Sequence, residues 1–363
     1  MMKIKIAKQD LLAGIQVVQN VVSPKATLPI LANMLLETKQ HHLRMYTTDL
    51  DIGISCEKSA EVVEDGAITI PAKRFSEIVR ELPEGDVTVY ARKNNQIEVE
   101  CGSFKTKILG LPKEDFPKFQ EFKDKEAVRL KQAELKEMFR MTSFAVSHEE
   151  SRYVLNGVLM EVKGKTIRIV ATDGRRLAKI EKTLAQEAAK ELSVILPIKA
   201  VQEINRNLKE EGEIVFVAGM NQVMFSLDGI LISTRIIEGD FPNYVQVIPK
   251  TAAPKIMVNK EQLLAAIRRA NLLATPDFQA IKFEIFKDKL IVSKTTPDVG
   301  ESREEMAVAF NGSEMAIGFN PQYLIDVLKN LADETVELEL FGPDKPCVIR
   351  KEDYLYLALP MRL

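Results

Sequence analysis

The chain has 363 residues, of which 46% are hydrophobic and 28% charged, and its formal net charge is −2. This composition excludes an intrinsically disordered protein, and the length predicts two or three domains. No apolar run reaches the roughly 18 residues that a transmembrane helix requires. Because the charge is nearly balanced, a surface for polyanions would have to come from an uneven distribution of charges.

The N-terminal segment, Met1–Ile6, alternates apolar and basic residues. This alternation predicts a first β-strand and lacks the continuous apolar segment of a signal peptide. Cys56, Cys101 and Cys347 are far apart and form no C-x-x-C pair. Their spacing argues against a disulfide framework or a zinc ribbon and indicates a reducing cytoplasm. We therefore predict that each thiol is a small buried hydrophobic group.

Landmarks recur along the chain at a nearly constant interval, which indicates three copies of one domain. Each copy has a threonine and an aspartate after a strand-like run: Thr48-Asp49, Thr172-Asp173, and Thr296 with Asp298. The runs before them are of strand type and occupy residues 31–36, 154–159 and 280–285. Because the three aspartates are equivalent, a shared structural role near a strand end is expected.

Two helical patterns occur in each copy. In the first pattern, apolar residues recur at helical spacing, as Leu12 and Ile15 do. The second pattern begins near a proline, which suits the first turn of a helix. The six predicted helices span residues 8–20, 71–82, 131–143, 197–209, 259–271 and 320–331.

These patterns predict an α+β fold of three repeated domains, with helices on one face of antiparallel sheets. We place the domains at residues 1–122, 123–250 and 251–363. The six helical segments carry a net charge of +6, which leaves −8 on the rest of the chain. Two interpretations stay open. The helices are ordinary solvated helices with a small excess of basic residues, or they line one surface that faces a polyanion.

Several motifs resemble the β subunit of bacterial DNA polymerase III, and the resemblance runs from the first strand to the last residue. The residues that carry it are Leu28–Asn33, Thr48–Leu50, Leu111-Pro112, Asp115–Pro117, Tyr153–Gly157, Ala171–Ala178, Asp240–Tyr244, Gly318–Asn320 and Pro360–Leu363. The resemblance implies a DNA sliding clamp, a processivity factor without cofactor. In that family, two subunits join head to tail in a six-domain ring, with helices inside and sheets outside.

The resemblance also implies how such a ring would meet duplex DNA. Topology prevents escape, so loose and sequence-independent attraction to phosphates is sufficient. The residues that it points to for contact with the duplex are Lys25, Arg74, Tyr153 and Lys199. For Tyr153, an ordinary place at a strand end remains an alternative.

A pocket for short peptides of the replicative polymerase, the clamp loader and other partners is implied between the second and third domains. Its walls would be Leu155, Thr172, Gly174, Arg175, Arg176, Leu177, Pro242, Val247, Phe278, Asn320, Tyr323, Pro346, Leu357, Leu359, Pro360, Met361 and Arg362. Apolar groups, an adaptable methionine and a few polar groups suit a peptide groove. The chain departs from the usual family pattern at Arg175, Gln246 and Leu359, which puts partner preference in doubt.

The resemblance places the dimer seam between the first domain of one subunit and the third domain of the other. The residues concerned are Lys105, Lys107 and Ile108, opposite Leu272, Leu273, Glu301, Glu304 and Glu305. Opposite charges at the two ends suit a head-to-tail contact that closes a ring. Alternatively, Lys105 and Lys107 simply protect an exposed strand edge.

No catalytic constellation is recognisable in the sequence. His41, His42 and His148 lack metal-ligand spacing, and P-loop, G-x-G-x-x-G and G-x-S-x-G motifs are absent. We therefore expect a protein that is not an enzyme. Two alternatives stay open: a peptide-binding adaptor that never encircles DNA, and a hydrolase that uses an acidic pair such as Asp173 and Asp240.

Overall fold

The structure is a computed structural model that describes residues 1–22, 28–119 and 126–363. These ranges contain the helices α1 (Lys8–Val18), α2 (Ala72–Glu81), α3 (Gln132–Thr142), α4 (Ile198–Asn207), α5 (Lys260–Asn271) and α6 (Pro321–Asn330). All six predicted helices are confirmed to within two residues at each end. None of the helices in these ranges is both long enough and apolar enough to span a bilayer.

The strands, in chain order, are β1 (Met2–Ala7), β2 (Asn33–Lys39), β3 (His42–Thr48), β4 (Ile52–Ser59), β5 (Glu61–Glu64), β6 (Ala67–Pro71), β7 (Asp86–Ala91), β8 (Gln96–Cys101), β9 (Phe104–Leu109), β10 (Val128–Lys131), β11 (Gly157–Lys163), β12 (Thr166–Thr172), β13 (Arg176–Thr183), β14 (Leu192–Pro197), β15 (Glu213–Ala218), β16 (Gln222–Leu227), β17 (Ile230–Arg235), β18 (Lys255–Asn259), β19 (Ile281–Ile285), β20 (Lys289–Thr296), β21 (Gly300–Ala307), β22 (Met315–Phe319), β23 (Thr335–Leu340), β24 (Cys347–Arg350) and β25 (Tyr354–Ala358). The predicted N-terminal strand is β1. Every pairing among these strands is antiparallel, as the fold prediction requires.

The first compact unit comprises Met1–Ala133 and Gln202–Ile236. It contains a five-stranded sheet, β5-β1-β7-β8-β9, and an eight-stranded sheet, β10-β15-β16-β17-β4-β3-β2-β6. Helix α1 packs against α2, β3 and β4. The buried faces of the two helices present Leu11 and Ile15 of α1, and Phe75 and Val79 of α2, at helical spacing.

The second compact unit comprises Glu134–Val201 and Ile237–Leu363. Its sheets have the orders β14-β11-β12-β13-β25-β24-β23-β18 and β21-β20-β19-β22. Helix α5 packs against α6. Leu263 and Ile267 of α5, with Leu324 and Leu328 of α6, are buried beside the sheets. Helices on antiparallel sheets therefore recur in this unit, as they do in the first.

Two strand pairings join consecutive sequence repeats into continuous sheets. In the first unit β17 pairs with β4, and Ile232 lies opposite Ile54. In the second unit β13 pairs with β25, and Leu177 lies opposite Leu357. A continuous sheet ties its strands together more closely than a linker does, so the compact units do not follow the repeats. The boundaries at residues 122 and 250 stay a prediction.

The threonine–aspartate pairs form the same turn in the first two repeats. The hydroxyl of Thr48 donates to the carbonyl of Ile52 at 2.8 Å, and Asp49 Oδ1 accepts the Ile52 N–H at 2.7 Å. In the second repeat Asp173 Oδ1 accepts the N–H of Arg176 at 2.9 Å. Asp and Thr side chains commonly satisfy backbone groups in such turns. The predicted structural role is confirmed for these two aspartates.

The third repeat departs from this turn. Thr296 donates its hydroxyl to the carbonyl of Leu273, far from the turn itself. Asp298 lies in the left-handed region, with φ of 61°, which aspartate tolerates better than most residues. Thr296 and Asp298 therefore match the pairs of the first two repeats in sequence position, but they do not make the same hydrogen bonds.

The strand predictions before two of these turns were wrong over their first residues. Residues Pro29–Ala32 and Glu150–Asn156 form 3-10 helices, and the strands begin only at Asn33 and Gly157. Pro29 lies at the start of the first of these turns, where its fixed φ favours helical geometry. Leu31 of the first segment is buried, and Val154 of the second packs against the core while partly exposed, which is why these segments imitate a strand pattern.

The three cysteines, Cys56, Cys101 and Cys347, are free and buried. Burial raises the pKa of the Cys347 thiol to about 12, so this group stays protonated at neutral pH. The prediction that the cysteines are small buried hydrophobic groups is confirmed. In the residues that the structure describes, no three His, Cys, Asp or Glu side chains are grouped as metal ligands.

Candidate functional site

A cavity of about 140 Å³ opens in the second unit. Its walls come from the end of the 3-10 segment before β11, the turn between β12 and β13, the segment after Asp240 and the end of β25. The lining residues are Leu155, Thr172, Gly174, Arg175, Arg176, Leu177, Pro242, Asn243, Tyr244, Val247, Leu357 and Leu359. Ten of these twelve belong to the predicted peptide pocket, so the fold brings together residues that are up to 204 positions apart.

The floor of this cavity is apolar and rigidly built. Leu177 and Leu357 are cross-strand partners and each is 2% exposed. They belong to a buried cluster with Leu159 and Val170. The rim is different, because Val247 is 55% exposed. A buried floor with accessible apolar groups at its edge can accept the apolar side chains of a short segment.

Arg176 forms one wall of the cavity and is 7% exposed. Its guanidinium contacts the carboxylate of Asp173 at 3.1 Å and that of Asp326 at 2.6 Å. It also donates to the backbone carbonyl of Phe144 at 2.6 Å. The ring of Tyr323 lies 4.6 Å from the guanidinium carbon, in a cation–π contact. One buried cation therefore connects β13, α6 and the segment after α3.

The charge of Arg176 is retained although burial opposes it. Burial lowers the pKa of the guanidinium, but the neighbouring Tyr356, Asp326 and Asp173 raise it, and the net pKa lies above its ordinary value. Removing one partner of a buried ion pair strongly destabilises the folded protein, because the other charge is then left without compensation. The wall that holds Tyr323 consequently depends on Arg176.

Tyr244 was not singled out as a site residue in the sequence, and it lines the cavity. Its hydroxyl donates to Glu161 Oε2 at 2.7 Å and accepts from Arg168 Nη1 at 3.1 Å. Arg168 also contacts Glu161 at 3.3 Å and Glu181 at 3.0 Å. Burial and the neighbouring Glu161 raise the pKa of Tyr244 to about 12. The phenol is thus a neutral hydrogen-bonding group that fixes the segment after Asp240 to the sheet.

The repeat itself contained a signal for Tyr244. The sequence Asp240–Tyr244 corresponds to Asp115–Phe119 in the first repeat, and both end in an aromatic residue. In the sequence this motif only marks the end of a repeat. A recurring aromatic residue after a proline indicates an anchoring group, which could have been assigned to the packing of the linker on the sheet.

Replacing Tyr244 by phenylalanine is expected to lower the free energy of unfolding by about 1–2 kcal/mol. The ring stays in place, but Arg168 and Glu161 each lose a hydrogen-bonding partner in a half-buried position. Urea denaturation of the two proteins measures the difference. Tyr153→Phe is the matched control, because Tyr153 is 56% exposed, and we expect a change within about 0.5 kcal/mol. Equal losses in the two variants would contradict this role of Tyr244.

The other seven predicted pocket residues do not line this cavity: Phe278, Asn320, Tyr323, Pro346, Pro360, Met361 and Arg362. Asn320 caps α6 by accepting the N–H of Gln322 at 2.9 Å. The ring of Tyr323 lies against the guanidinium of Arg176. The N–H of Met361 donates to Gly318 at 2.8 Å, which fixes the C-terminal segment beside β22. All seven lie in the same unit as the cavity.

The predicted DNA-facing residues are spread over several elements. Arg74 is exposed on α2 and Lys199 is exposed on α4. Tyr153 is 56% exposed in the 3-10 segment before β11. Lys25 lies outside the described residues. The basic residues at these positions are thus available to solvent on helical surfaces, as contact with a polyanion requires.

The first half of the predicted seam lies on β9, the terminal strand of the five-stranded sheet. Lys105 and Lys107 are exposed there, and they contact Glu100 at 3.0 Å and Glu98 at 3.1 Å within the chain. Ile108 is 5% exposed and belongs to the core of its own unit. A terminal strand presents unpaired backbone groups that another strand can extend.

The second half of the predicted seam lies on and beside β21, the terminal strand of the four-stranded sheet. This strand carries Glu301, Glu304 and Glu305, and Glu304 contacts Arg269 at 2.6 Å. Leu272 is 81% exposed and follows α5, while Leu273 is half-buried. Leu272 is therefore accessible at the end of α5, the helix that packs against the acidic terminal strand β21.

Comparison with known proteins covers nearly the whole chain. The family models of the DNA polymerase III beta subunit match in order: the N-terminal domain at residues 2–120, the central domain at 129–243 and the C-terminal domain at 245–362. The beta sliding clamp of Chlamydia muridarum is 33% identical over 363 residues, covering 100% of this chain and 99% of the relative. That of Vibrio cholerae is 30% identical over 367 residues, covering 100% of both chains.

Solved structures agree with this assignment. The DNA polymerase sliding clamp from Bacillus subtilis has a TM-score of 0.96 and 28% identity, covering 100% of this chain and 99% of that one. A sliding clamp from Pseudomonas aeruginosa bound to griselimycin has a TM-score of 0.94 and 30% identity, with 100% of both chains covered. With three domain matches in sequence order and full-length relatives, the chain belongs to the DNA polymerase III beta subunit family, the bacterial beta sliding clamps.

Proposed function

We propose that this chain is a DNA sliding clamp: it encircles duplex DNA without reading its sequence and tethers the replicative polymerase to it. The full-length match with beta sliding clamps carries this proposal. A ring that is held by topology needs no tight contacts with DNA, because escape requires the ring to open. Loose attraction to phosphates then allows the protein to slide.

The ring forms from two copies of the chain, joined head to tail at two identical seams. Support comes from the two terminal strands, β9 with exposed lysines and β21 with glutamates. Complementary charge orients such a contact. These charges already have partners within the chain, so the apolar Leu272 and the strand edges supply most of the seam's affinity, while the charges select its orientation.

The cavity beside Arg176 receives the apolar side chains of a short peptide segment from the polymerase, the clamp loader and other partners. The seven predicted residues outside the cavity extend the groove. Asn320 and Tyr323 belong to the start of α6, Pro360, Met361 and Arg362 to the C-terminal segment, and Phe278 and Pro346 to the loops before β19 and β24. Arg175 and Leu359 belong to the cavity wall, and Gln246 lies in the adjoining 3-10 turn. Because these three positions depart from the usual family pattern, they set this chain's preference among partner peptides.

The protein acts by binding alone and is not an enzyme, and it works in the cytoplasm, where the chromosome is replicated. Asp173, one half of the acidic pair considered for a hydrolase, is held by backbone N–H groups and by Arg176. This engagement supports a structural role for its carboxylate. The chain is organised as three domains, at residues 1–122, 123–250 and 251–363.

Retention on DNA after loading by a clamp loader tests the proposed function. The protein is loaded on a closed circular plasmid and on the same plasmid after linearisation, in moderately high salt. We expect retention on the circle and loss from the cut ends, because only a topological link depends on closed DNA. Equal loss from both forms, while a known clamp is retained in parallel, would refute the ring and leave a peptide-binding adaptor.

Replacing Arg74 and Lys199 together by alanine is expected to weaken DNA contact without changing sequence preference. The slope of log Kobs against log salt concentration is negative, and each lost phosphate contact makes it shallower by about 0.9. Fluorescence anisotropy with a short duplex at several salt concentrations measures the slope. Lys93→Ala is the control, since Lys93 is exposed on the turn between β7 and β8. An unchanged slope in the double variant would remove these residues from the DNA-facing set.

A further inference from the structure

A second and larger cavity, of about 390 Å³, lies in the first unit. It is lined by Leu35, Glu37, Arg44, Tyr46, Lys113, Glu114, Phe116, Pro117, Lys118 and Phe119. Its volume falls in the range of roughly 300–1,000 Å³ that is usual for ligand pockets. None of these residues belongs to the predicted peptide pocket, the DNA-facing set or the seam, so the proposed function leaves the cavity unassigned.

The internal repeat shows what this cavity corresponds to in the second unit. Arg168 and Glu161 lie 124 positions after Arg44 and Glu37, and Tyr244 lies 125 positions after Phe119. In both copies the acid and the arginine are on adjacent strands, with Glu37 opposite Arg44 and Glu161 opposite Arg168. The polar pair is therefore the same, but the aromatic residue that packs over it differs by one hydroxyl group.

That difference changes the hydrogen bonding of the pair. In the second unit the Tyr244 hydroxyl bridges the two groups, and Arg168 lies 3.3 Å from Glu161. In the first unit the ring at this place is Phe119, whose centroid lies 4.7 Å from the Arg44 guanidinium. The Arg44–Glu37 distance is 4.0 Å there. A guanidinium and a carboxylate thus border a cavity in which the bridging hydroxyl is missing.

Three of the remaining lining residues are aromatic, and the others are Leu35, Pro117 and the charged Lys113, Glu114 and Lys118. Tyr46 meets the ring of Phe116 edge-on at 5.5 Å and that of Phe119 at 4.8 Å. Tyr46 is 5% exposed and Phe116 is also 5% exposed, so these rings are held by the surrounding core. Fixed aromatic walls favour edge-on or offset stacking with another aromatic ring. The cavity consequently combines a stacking surface with the Arg44 donor and the Glu37 acceptor, and Lys113, Glu114 and Lys118 add further charged groups to its lining.

We propose that this cavity binds the side chain of a tyrosine carried by a partner peptide. The ring packs against Tyr46 and Phe116, while its hydroxyl donates to Glu37 and accepts from Arg44, as Tyr244 does within the second unit. Phenylalanine fills the same space but leaves both polar groups without the bridging hydroxyl. The site therefore selects tyrosine over phenylalanine and gives the clamp a second point of contact with its partners.

The test uses the full-length protein and two capped pentapeptides, Gly-Gly-Tyr-Gly-Gly and its phenylalanine counterpart, with binding followed by ligand-observed NMR. We expect the tyrosine peptide to bind about fivefold or more tightly, as one bridging hydroxyl would give. Phe119→Tyr supplies the hydroxyl from within the chain and should abolish this preference. Phe286→Tyr adds a hydroxyl on the turn between β19 and β20 in the second unit instead and should leave the preference intact.

Arg44→Met provides a second variant, which keeps a long side chain under Phe119 but removes the N–H donors. It should reduce the preference for tyrosine as Phe119→Tyr does, and thermal unfolding of both variants verifies that they fold. Equal binding of the two peptides by the unmodified protein would overturn the proposal. A tyrosine preference that survives both Phe119→Tyr and Arg44→Met would overturn it as well, because the peptide would then bind elsewhere.

Discussion

Arg176→Met is expected to lower the free energy of unfolding by about 3–5 kcal/mol, the usual cost of leaving a buried charge without its partner. The guanidinium is 7% exposed and contacts the carboxylates of Asp173 and Asp326. Methionine fills much of the space but offers no positive charge. Urea denaturation followed by circular dichroism measures the loss.

The same substitution should weaken binding of partner peptides by about tenfold or more, equivalent to ~1.4 kcal/mol. Arg176 is part of the cavity wall, and its guanidinium supports the ring of Tyr323. Isothermal titration with a peptide from a clamp-binding polymerase, on protein that is still folded at the assay temperature, measures this second effect. Because the protein is still folded, a weaker affinity in this titration reports a change in the peptide site and not unfolding of the unit.

Two further variants make the Arg176 prediction specific. Arg175→Met removes a neighbouring arginine that is exposed, so its unfolding free energy should change by less than about 0.5 kcal/mol. Combining Arg176→Met with Asp326→Asn removes one of the two uncompensated carboxylates and should recover part of the lost stability. If Arg176→Met is no less stable than Arg175→Met, the buried ion pair does not hold this wall.

The helices and the antiparallel sheets could be predicted because their signals are local. Apolar spacing and prolines at helix starts are properties of ten to twelve neighbouring residues, and the threefold repeat lets each copy support the others. The limits of local reasoning appear in α1, where Leu11 is fully buried and Leu12 only partly. A helix of eleven residues allows either leucine to face inward until the sheet beneath it is known.

The hydrogen bonds of the site could not be predicted in the same way. Arg176 and Asp326 are 150 positions apart, and nothing in the residues between them indicates that β13 and α6 meet. The resemblance to a family identifies most of the residues that line the cavity, but it does not give the hydrogen bonds between them. The bridging role of Tyr244 depends on which side of the linker faces the sheet, and this is decided by tertiary packing.

Leu272→Asp is expected to convert the dimeric ring into monomers and to abolish retention on circular DNA. Leu272 is 81% exposed in the single chain, so its burial at a seam would contribute about 1.5–3 kcal/mol, and a charge there adds a desolvation cost. A loss of about 3 kcal/mol per seam corresponds to roughly 100-fold in affinity. A ring with two identical seams experiences this loss twice.

Analytical ultracentrifugation at nanomolar concentration, combined with the retention assay, measures both consequences. Met220→Asp is the matched control, because Met220 is an apolar residue that is 96% exposed on the turn between β15 and β16, away from the predicted seam. Since both side chains are exposed in the single chain, neither substitution should alter the urea midpoint of the monomer. A Leu272→Asp protein that remains dimeric and stays on circular DNA would show that the seam lies elsewhere. A Met220→Asp protein that dissociates equally would show that added negative charge alone opens the ring, so only loss confined to Leu272 assigns the seam to the surface beside β21.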